Sequence, residues 1–164
     1  MPGRRILLIE DEKPVRQALR RALERSGYLV IEAGDGNLGL SSLEQTPADL
    51  VPSLPADAFV LCMTKGHATD RPVLQRALAE RDFPFVGVIG SDAKAAVLRR
   101  ELIASGLTPE RASAFHCPVG FDFGSNHPHE IALSIAAQLV SERDRRRKNI
   151  TAPAPSERAL ARNS

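Results

Sequence analysis

Aromatic residues are scarce in this chain of 164 residues: they make up 4% of it, with no tryptophan and one tyrosine. Base-stacking surfaces need exposed rings beside basic residues, so this scarcity disfavours single-stranded nucleic acid as a partner. An excess of one charge is missing as well, because 22 lysines and arginines against 20 aspartates and glutamates leave a net charge of +2. That balance offers no phosphate-binding surface from bulk charge. We therefore expect no nucleic-acid partner.

Cysteines and long hydrophobic runs are also few. Cys62 and Cys117 are the only thiols, which excludes a disulfide-rich secreted scaffold and a zinc site made of cysteines alone. No stretch reaches the roughly 18 consecutive apolar residues that a membrane span requires. The acidic residues 10–12 end the first apolar run too early for a signal peptide. These absences predict a cytoplasmic protein with no membrane partner.

The sequence does contain enough apolar residues for a core, since 43% of it is hydrophobic, a typical globular value. Short apolar runs alternate along the chain with segments of helical periodicity. The predicted strands cover residues 6–9, 28–31, 59–63, 85–89 and 113–116, and the predicted helices cover 14–25, 38–44, 71–81, 91–105 and 131–140. We expect Asp70 to cap the third helix, with Pro72 in its first turn.

This alternation predicts an α/β fold with a single doubly wound, mainly parallel sheet and helices on both faces. Such a fold is Rossmann-like, and the flavodoxin-like strand order is one of the few that the pattern allows. We expect one domain over residues 1–142. A basic run at 143–148 and a polar, proline-containing end predict a disordered tail over 143–164. The run either binds RNA or an acidic partner or, more commonly, forms the solvated end of the last helix.

In open parallel sheets, ligands bind beyond the carboxyl ends of the strands, so the residues that follow each predicted strand are candidates. Glu10, Asp11 and Glu12 follow the first strand. Carboxylates at this turn would repel a pyrophosphate, but they could hold Mg²⁺, which prefers oxygen ligands. A solvated acidic loop at a helix start is an equally good interpretation.

The loop after the third predicted strand has the densest set of polar residues. Thr64 offers a hydroxyl, Lys65 a cation, Gly66 close backbone approach and His67 a titratable ring. A solvent-facing His67 is the alternative to a functional one, just as Asp70 is at least as well explained as a helix cap.

Gly90, Ser91 and Lys94 lie where the fourth predicted strand passes into a helix. The free amides and the dipole of a helix N-terminus favour an anionic group such as phosphate, and Gly90 would permit close approach. As a motif this segment is short, but its place at a strand end suits a ligand site.

The loop after the last predicted strand contains His116 and Cys117, which add metal-binding or nucleophilic potential. Cys62 also falls at a strand end, so the two thiols could approach each other, although two buried inert thiols are the more common case. His127 and His129 do not share a helix face and make a poor metal pair. Since no nucleophile elbow, P-loop or zinc-protease signature occurs, the residues favour a binding module over an enzyme.

Three segments of the chain resemble the C-terminal Rossmann-like domain of the XdhC/CoxI family. Residues 64–70 resemble its T-[RK]-G-H-x-x-D motif, and residues 85–91 with Lys94 resemble Y-[VI]-G-x-[IL]-G-S-x-x-K. Residues 118–135 resemble P-[IV]-G-L-x-[IL]-G-x-x-[TS]-P-x-E-I-A-x-S-I. The motifs stand in the family's order over 57–140.

The members of this family are accessory proteins that mature molybdenum hydroxylases such as xanthine dehydrogenase. The resemblance therefore implies an accessory or cofactor-binding module whose ligand is a phosphate-bearing pterin, such as the molybdenum cofactor (molybdopterin), or a nucleotide. It implies a molybdenum hydroxylase or other maturation proteins as partners and leaves a homodimer open. The cofactor-binding residues it implies are Thr64, Gly66, His67, Asp70, Gly90, Ser91, Lys94, Gly120 and Asp122.

The start of the chain follows a different pattern. Where the family has a glycine-rich turn, this chain has residues 10–13, and residues 4–36 resemble the opening of a response-regulator receiver domain. Glu10 and Asp11 match the acidic pair that binds Mg²⁺ in receivers, but Cys62 stands where their phosphorylatable aspartate ends a strand. Cys117 stands where their lysine precedes a proline. The alternative expectation is therefore a degenerate, non-phosphorylatable receiver-like signalling or protein-interaction module, with Mg²⁺ as its cofactor.

Overall fold

A parallel sheet forms the centre of the molecule in the computed structural model, which describes residues 4–33, 46–125 and 127–151. Its strands are β1 (Arg5–Ile9), β2 (Leu29–Ala33), β3 (Phe59–Cys62) and β4 (Phe85–Val88). They lie in the order β2-β1-β3-β4, all parallel. The helices are α1 (Lys13–Arg25), α2 (Pro47–Leu50), α3 (His67–Glu80), α4 (Asp92–Ala104), α5 (Pro109–Ala112) and α6 (Pro128–Thr151), and a 3-10 turn covers Val51–Ser53. The predicted Rossmann-like α/β class is confirmed, and the strand order is the flavodoxin-like one.

The strands are apolar along their length because helices cover both faces of the sheet. Ile6 and Leu8 of β1 face one core, which they share with Leu61 of β3 and with buried residues of α1 and α6. Leu7 and Ile9 face the other core, which α3 and α4 close. Consecutive residues along β1, and likewise along β3, thus point to opposite faces of the sheet. Because β1 pairs with β3, the ends of these two strands lie side by side.

The predicted strand at 113–116 is wrong except at its last residue. His116 makes a parallel bridge with Gly87, donating to Val86 O (2.9 Å) and accepting from Val88 N–H (2.8 Å). The residues before it are used differently, since Ser113 and Ala114 N–H groups donate to carbonyls of α5. Their turn at the end of α5 leaves no room for a longer strand.

The start of α3 also differs from the prediction. The helix begins at His67 with Gly66 as its N-cap, so Asp70 is a buried helical residue and not the cap, and Pro72 lies inside the helix. The expected cap failed because the Asp70 carboxylate has tertiary partners, Thr64 and Lys94.

The last helix is longer than the predicted 131–140, because α6 continues through the basic run 143–148 that was expected to begin a disordered tail. Arg143 donates to Ser26 O (3.2 Å), and Arg146 pairs with Glu142 (2.7 Å). Several of the run's cations are therefore occupied within the fold. Residues 152–164 of the expected tail lie outside the described residues.

The other predicted strands and helices coincide with described elements, with their ends displaced slightly, and Ser91 caps α4 as expected. The predicted helix at 38–44 lies outside the described residues. Among the helices that the structure describes, none combines the length and the apolar character needed to cross a bilayer.

Candidate functional site

A crevice of about 430 Å³ opens at the carboxyl ends of the strands. It lies between the ends of β1 and β3, and the helices that follow these two strands pack on opposite faces of the sheet. This is the switch point at which open α/β sheets bind ligands. Residues after three strands and residues of three helices form its walls. They are Glu10, Glu12, Val15, Met63, Thr64, Lys65, Ile89, Gly90, Lys94, Pro128 and Ile131.

A buried polar network supports the β3 and β4 side of the crevice. The ammonium group of Lys94 donates to Asp70 Oδ2 (2.6 Å), to Thr64 O (3.1 Å) and to Ile89 O (2.9 Å). The Thr64 hydroxyl donates to Asp70 Oδ1 (2.7 Å). Since an ammonium has three N–H donors, Lys94 has none left for a ligand in this arrangement. The network joins the ends of β3 and β4 to the first turn of α3.

The burial of this ion pair makes it structurally important. The Asp70 side chain is fully buried and that of Lys94 is 11% exposed. Removal of one member of such a pair leaves an uncompensated charge in the interior, which is strongly destabilising. The first two motifs thus meet in space through residues that hold one another in place.

Gly90 lets the Lys94 side chain reach this position. Its φ is +156°, and a Cβ there would lie 2.5 Å from Lys94 Cδ. Gly90 is part of the crevice wall. It directly precedes Ser91, the N-cap of α4, whose hydroxyl accepts a hydrogen bond from Lys94 N–H (3.3 Å).

Two further residues of the first motif, Gly66 and His67, do not line the crevice. Both are exposed, at the N-cap and first position of α3. Of the nine residues implied by the family resemblance, the structure places Thr64, Gly90 and Lys94 in the crevice wall.

The loop of the third motif that contains Gly120 and Asp122 is attached to α6 and is not part of the crevice lining, whereas Pro128 and Ile131 of the same motif line the crevice. Gly120 N–H donates to Gln138 Oε1 (2.7 Å), and a Cβ on Gly120 would lie 2.6 Å from Ser134 Oγ. Further along, the Ser125 hydroxyl donates to Glu130 Oε2 (2.7 Å). Asp122 is exposed in this loop. These contacts give the motif a structural role in positioning α6.

Carboxylates form the β1 side of the crevice. Glu10 is 4% exposed, and its Oε1 accepts from Glu12 N–H (2.9 Å). Burial raises the pKa of Glu10, and the neighbouring charges of Asp11 and Glu12 raise it further. Glu12 is more exposed and pairs with Lys65 across the mouth of the crevice.

The two cysteines do not form a disulfide. Cys62 is fully buried, and burial raises the pKa of its thiol well above the ordinary value. Cys117 is partly buried, its pKa is raised for the same reason, and its Sγ lies 3.7 Å from Ser91 O. Thiols in such surroundings are weak nucleophiles.

The histidines of the described chain do not gather with other metal ligands. The His116 ring stacks on Phe85 with centroids 4.5 Å apart, and desolvation lowers its pKa. His127 and His129 stack on each other (5.3 Å). Within residues 4–33, 46–125 and 127–151, no three histidine, cysteine or acidic side chains form a metal-binding group.

The apolar residues of the crevice wall were not predicted from the sequence. Met63 and Ile89 end or follow strands, so the position rule for parallel sheets could have found them. Val15, Pro128 and Ile131 belong to helices, and their place in the wall depends on the strand order and on how α1 and α6 pack. No local pattern carries that information.

Comparison with known proteins gives two kinds of relatives. The uncharacterized protein YqeB of Escherichia coli (strain K12) is 33% identical over 84 residues, which cover 51% of this chain and 15% of YqeB. The response regulator GtcR of Aneurinibacillus migulanus is 28% identical over 142 residues, which cover 82% of this chain and 55% of GtcR. The response regulator MprA of Mycobacterium tuberculosis is 35% identical over 98 residues, which cover 56% of this chain and 41% of MprA.

The chain thus spans between 15% and 55% of the length of these relatives. A family model, that of the XdhC Rossmann domain, matches residues 7–139, which include β2, β3, β4, most of β1 and every residue that lines the crevice. The likeness to response regulators is weaker. The chain belongs to the XdhC Rossmann-domain family.

Proposed function

We propose that this chain is an accessory, cofactor-binding module of the XdhC kind that takes part in the maturation of molybdenum hydroxylases such as xanthine dehydrogenase. Its ligand is a phosphate-bearing pterin, such as the molybdenum cofactor, or a nucleotide. The observation that carries the proposal is that Thr64, Gly90 and Lys94, from two family motifs, form one wall of a cavity at the switch point of the sheet. The partner is a molybdenum hydroxylase or another maturation protein.

The crevice fits a ligand of this kind in size and in character. Its volume of about 430 Å³ lies within the range of small-molecule sites, about 300–1,000 Å³. Five apolar side chains line it beside five polar or charged ones, so it offers both apolar contact and polar groups that can orient a ligand. A flat heterocyclic ring suits apolar walls of this type.

The phosphate group belongs, on this proposal, at the start of α4. Gly90 and Ser91 precede a helix of 13 residues, and its free amides and dipole favour an anion. Lys94 acts here as a positioning residue, because its ammonium is bound to Asp70 and two carbonyls and holds the loop through Ile89 O. The ligand therefore meets backbone donors at this end of the crevice.

The test is to identify what the protein carries. The chain is expressed in a host that makes molybdenum cofactor, purified, denatured and oxidised, and pterin fluorescence and nucleotide absorbance are measured per mole of protein. We expect a near-stoichiometric amount of one of the two. Gly90→Asp, which adds a clashing side chain and a negative charge where the phosphate belongs, should abolish it.

Gly106→Asp is the matched control, since Gly106 also has a positive φ (+103°) but lies on an exposed turn outside the crevice lining. It should retain the ligand. A wild-type protein with neither pterin nor nucleotide, or equal amounts in both variants, would contradict the proposal.

A second candidate function rests on the likeness to response regulators and on the acidic turn after β1. It is a degenerate receiver-like interaction module in which Glu10 and Asp11 bind Mg²⁺ without phosphorylation, because the buried Cys62 thiol cannot form an acyl phosphate. Calorimetric titration with Mg²⁺ tests it. Binding that Asp11→Asn removes would support this candidate, whereas no binding, or binding that the variant leaves unchanged, would eliminate its metal site.

A further inference from the structure

The β1 side of the crevice carries a carboxylate that none of the three motifs includes. Glu10 is 4% exposed and lines the cavity. Its Oε1 accepts a hydrogen bond from Glu12 N–H (2.9 Å), and the backbone N–H of Asp11 interacts with the carboxylate as well. Each carboxylate oxygen can accept two hydrogen bonds, so the group retains capacity on its crevice side.

The nearby cations are bound to other groups. Arg16 donates to the backbone carbonyl of Glu10 (2.5 Å) and lies 3.8 Å from the Glu32 carboxylate. Lys65 pairs with Glu12. Within the part of the chain that the structure describes, no cation comes within ion-pair distance of the Glu10 carboxylate, whereas Lys94 on the opposite side is paired with Asp70. A buried carboxylate of this kind is stabilised when a ligand supplies N–H donors to it.

The apolar walls beside Glu10 indicate which kind of ligand surface, besides N–H donors, fits the crevice. Apolar side chains from the sheet edge and from two helices flank the cavity: Val15, Met63, Ile89, Pro128 and Ile131. A ligand that contacts these side chains and also donates to one carboxylate is a flat heterocycle with N–H groups on one edge. A sugar or a bare phosphate would leave the apolar walls unmatched.

We propose that Glu10 is a specificity-determining residue whose carboxylate accepts two parallel hydrogen bonds from the adjacent ring N–H and exocyclic NH2 of a 2-aminopyrimidinone ring. Pterins and guanine share this donor edge. The inference rests on the proposed function, because it assigns the heterocycle of that ligand to the β1 side and leaves its phosphate at the start of α4.

The experiment uses two pairs of compounds that differ at this edge. The full chain, stripped of bound ligand, is titrated calorimetrically with GMP against IMP, and with 6-hydroxymethylpterin against 6-hydroxymethyllumazine. IMP and the lumazine lack the 2-amino group. Loss of one charge-assisted hydrogen bond predicts an affinity for the amino compound that is about 10-fold to 100-fold higher. A preference within the GMP pair alone identifies guanine nucleotides as the source, and one within the pterin pair alone identifies pterins.

Variants assign the preference to Glu10. Glu10→Gln replaces one acceptor with a donor and should abolish the preference while it keeps the hydrogen bond from Glu12 N–H. Glu24→Gln is the control, because Glu24 is an exposed glutamate of α1 outside the cavity lining, and it should retain the preference. Glu10→Asp shortens the side chain by one methylene and should also lose the preference for the amino compounds. It replaces Glu10→Gln as the test variant if Glu10→Gln does not fold.

The inference and the proposed function fail in different ways. Equal affinity within both pairs, or a preference that survives Glu10→Gln, overturns the role of Glu10 and leaves a crevice that still binds ligand. No binding of any of the four compounds, together with no pterin or nucleotide released from the purified protein, overturns the proposed function and the inference with it.

Discussion

The buried charged side chains on the two sides of the crevice differ in how completely they are paired. On the β3 and β4 side, Lys94 and Asp70 satisfy each other within a network closed by Thr64 and two backbone carbonyls. On the β1 side, Glu10 is also buried, but its partners are the backbone N–H groups of Glu12 and Asp11, and it has no paired cation among the described residues. The family motifs supply the first side, and the receiver-like start of the chain supplies the second.

The difference separates residues that shape a site from residues that meet a ligand. A buried charge that is fully paired stabilises the walls, and a ligand has little to gain from breaking such a pair. A buried polar group with unused capacity is the one that a ligand can satisfy. By this criterion, the paired residues of the first two motifs shape the crevice, and Glu10 and the amides at the start of α4 are the groups that we propose to contact a ligand.

The largest expected effect comes from breaking the pair on the β3 side. Asp70→Asn should lower the free energy of unfolding by about 3–5 kcal/mol, because it leaves the Lys94 charge buried without its counter-charge. Urea unfolding of wild type and variant measures the change.

The double variant Asp70→Asn with Lys94→Met provides the control for this effect. It leaves no uncompensated charge, so it should be less destabilised than the sum of the two single variants. A single Asp70→Asn variant that unfolds within about 1 kcal/mol of the wild type would show that the pair does not stabilise the wall and would remove the contrast between the two sides.

A smaller effect is expected in the loop of the third motif. Gly120 and Gly106 have nearly the same backbone, with φ of +102° and +103°, but a Cβ would clash with Ser134 Oγ only at Gly120. Gly120→Ala should therefore be more destabilising than Gly106→Ala, by roughly 1–3 kcal/mol, the usual cost of overpacking. Thermal or urea unfolding compares them, and Ser134→Ala in the Gly120→Ala background should recover part of the loss. Equal costs would mean that the loop is not tied to α6 by this contact.

The smallest effect concerns Glu10 and pH. Because burial raises its pKa, the folded protein holds the Glu10 proton to higher pH than the unfolded chain does. Its contribution to stability is therefore present below the ordinary carboxyl pKa and is lost as pH rises through the raised value. Glu10→Gln should remove this dependence and unfold at a slightly higher denaturant concentration than wild type at neutral pH. A wild-type advantage that grows with rising pH over this range would mean that Glu10 has a cationic partner in solution.

Much of the fold was predictable because its signals are local. The continuous apolar run at the start of the chain predicted β1, and Ser91 predicted the start of α4. The errors fall where the deciding partner is distant in sequence. Asp70 could not be recognised as a buried helical residue because Lys94, its partner, is 24 residues away. The length of α6 depends on contacts such as that of Arg143 with Ser26, which are tertiary.

The candidate site was predictable in part for the same reason. The rule that ligands bind at strand ends located Thr64 and Gly90, which do line the crevice. The family resemblance also implied Gly120, and that residue packs a loop on α6. The position of Ile131 in the crevice wall was not predicted, because it depends on the strand order and on the packing of the last helix.

A backbone amide NMR titration of the stripped protein with GMP and with 6-hydroxymethylpterin would locate a bound ligand directly. We expect the largest chemical-shift changes at Glu12, Lys65 and Gly90, around the crevice, and little change at Gly120 and Asp122. Changes centred on Gly120 and Asp122, with the crevice amides unaffected, would contradict this expectation and return ligand binding to the third motif.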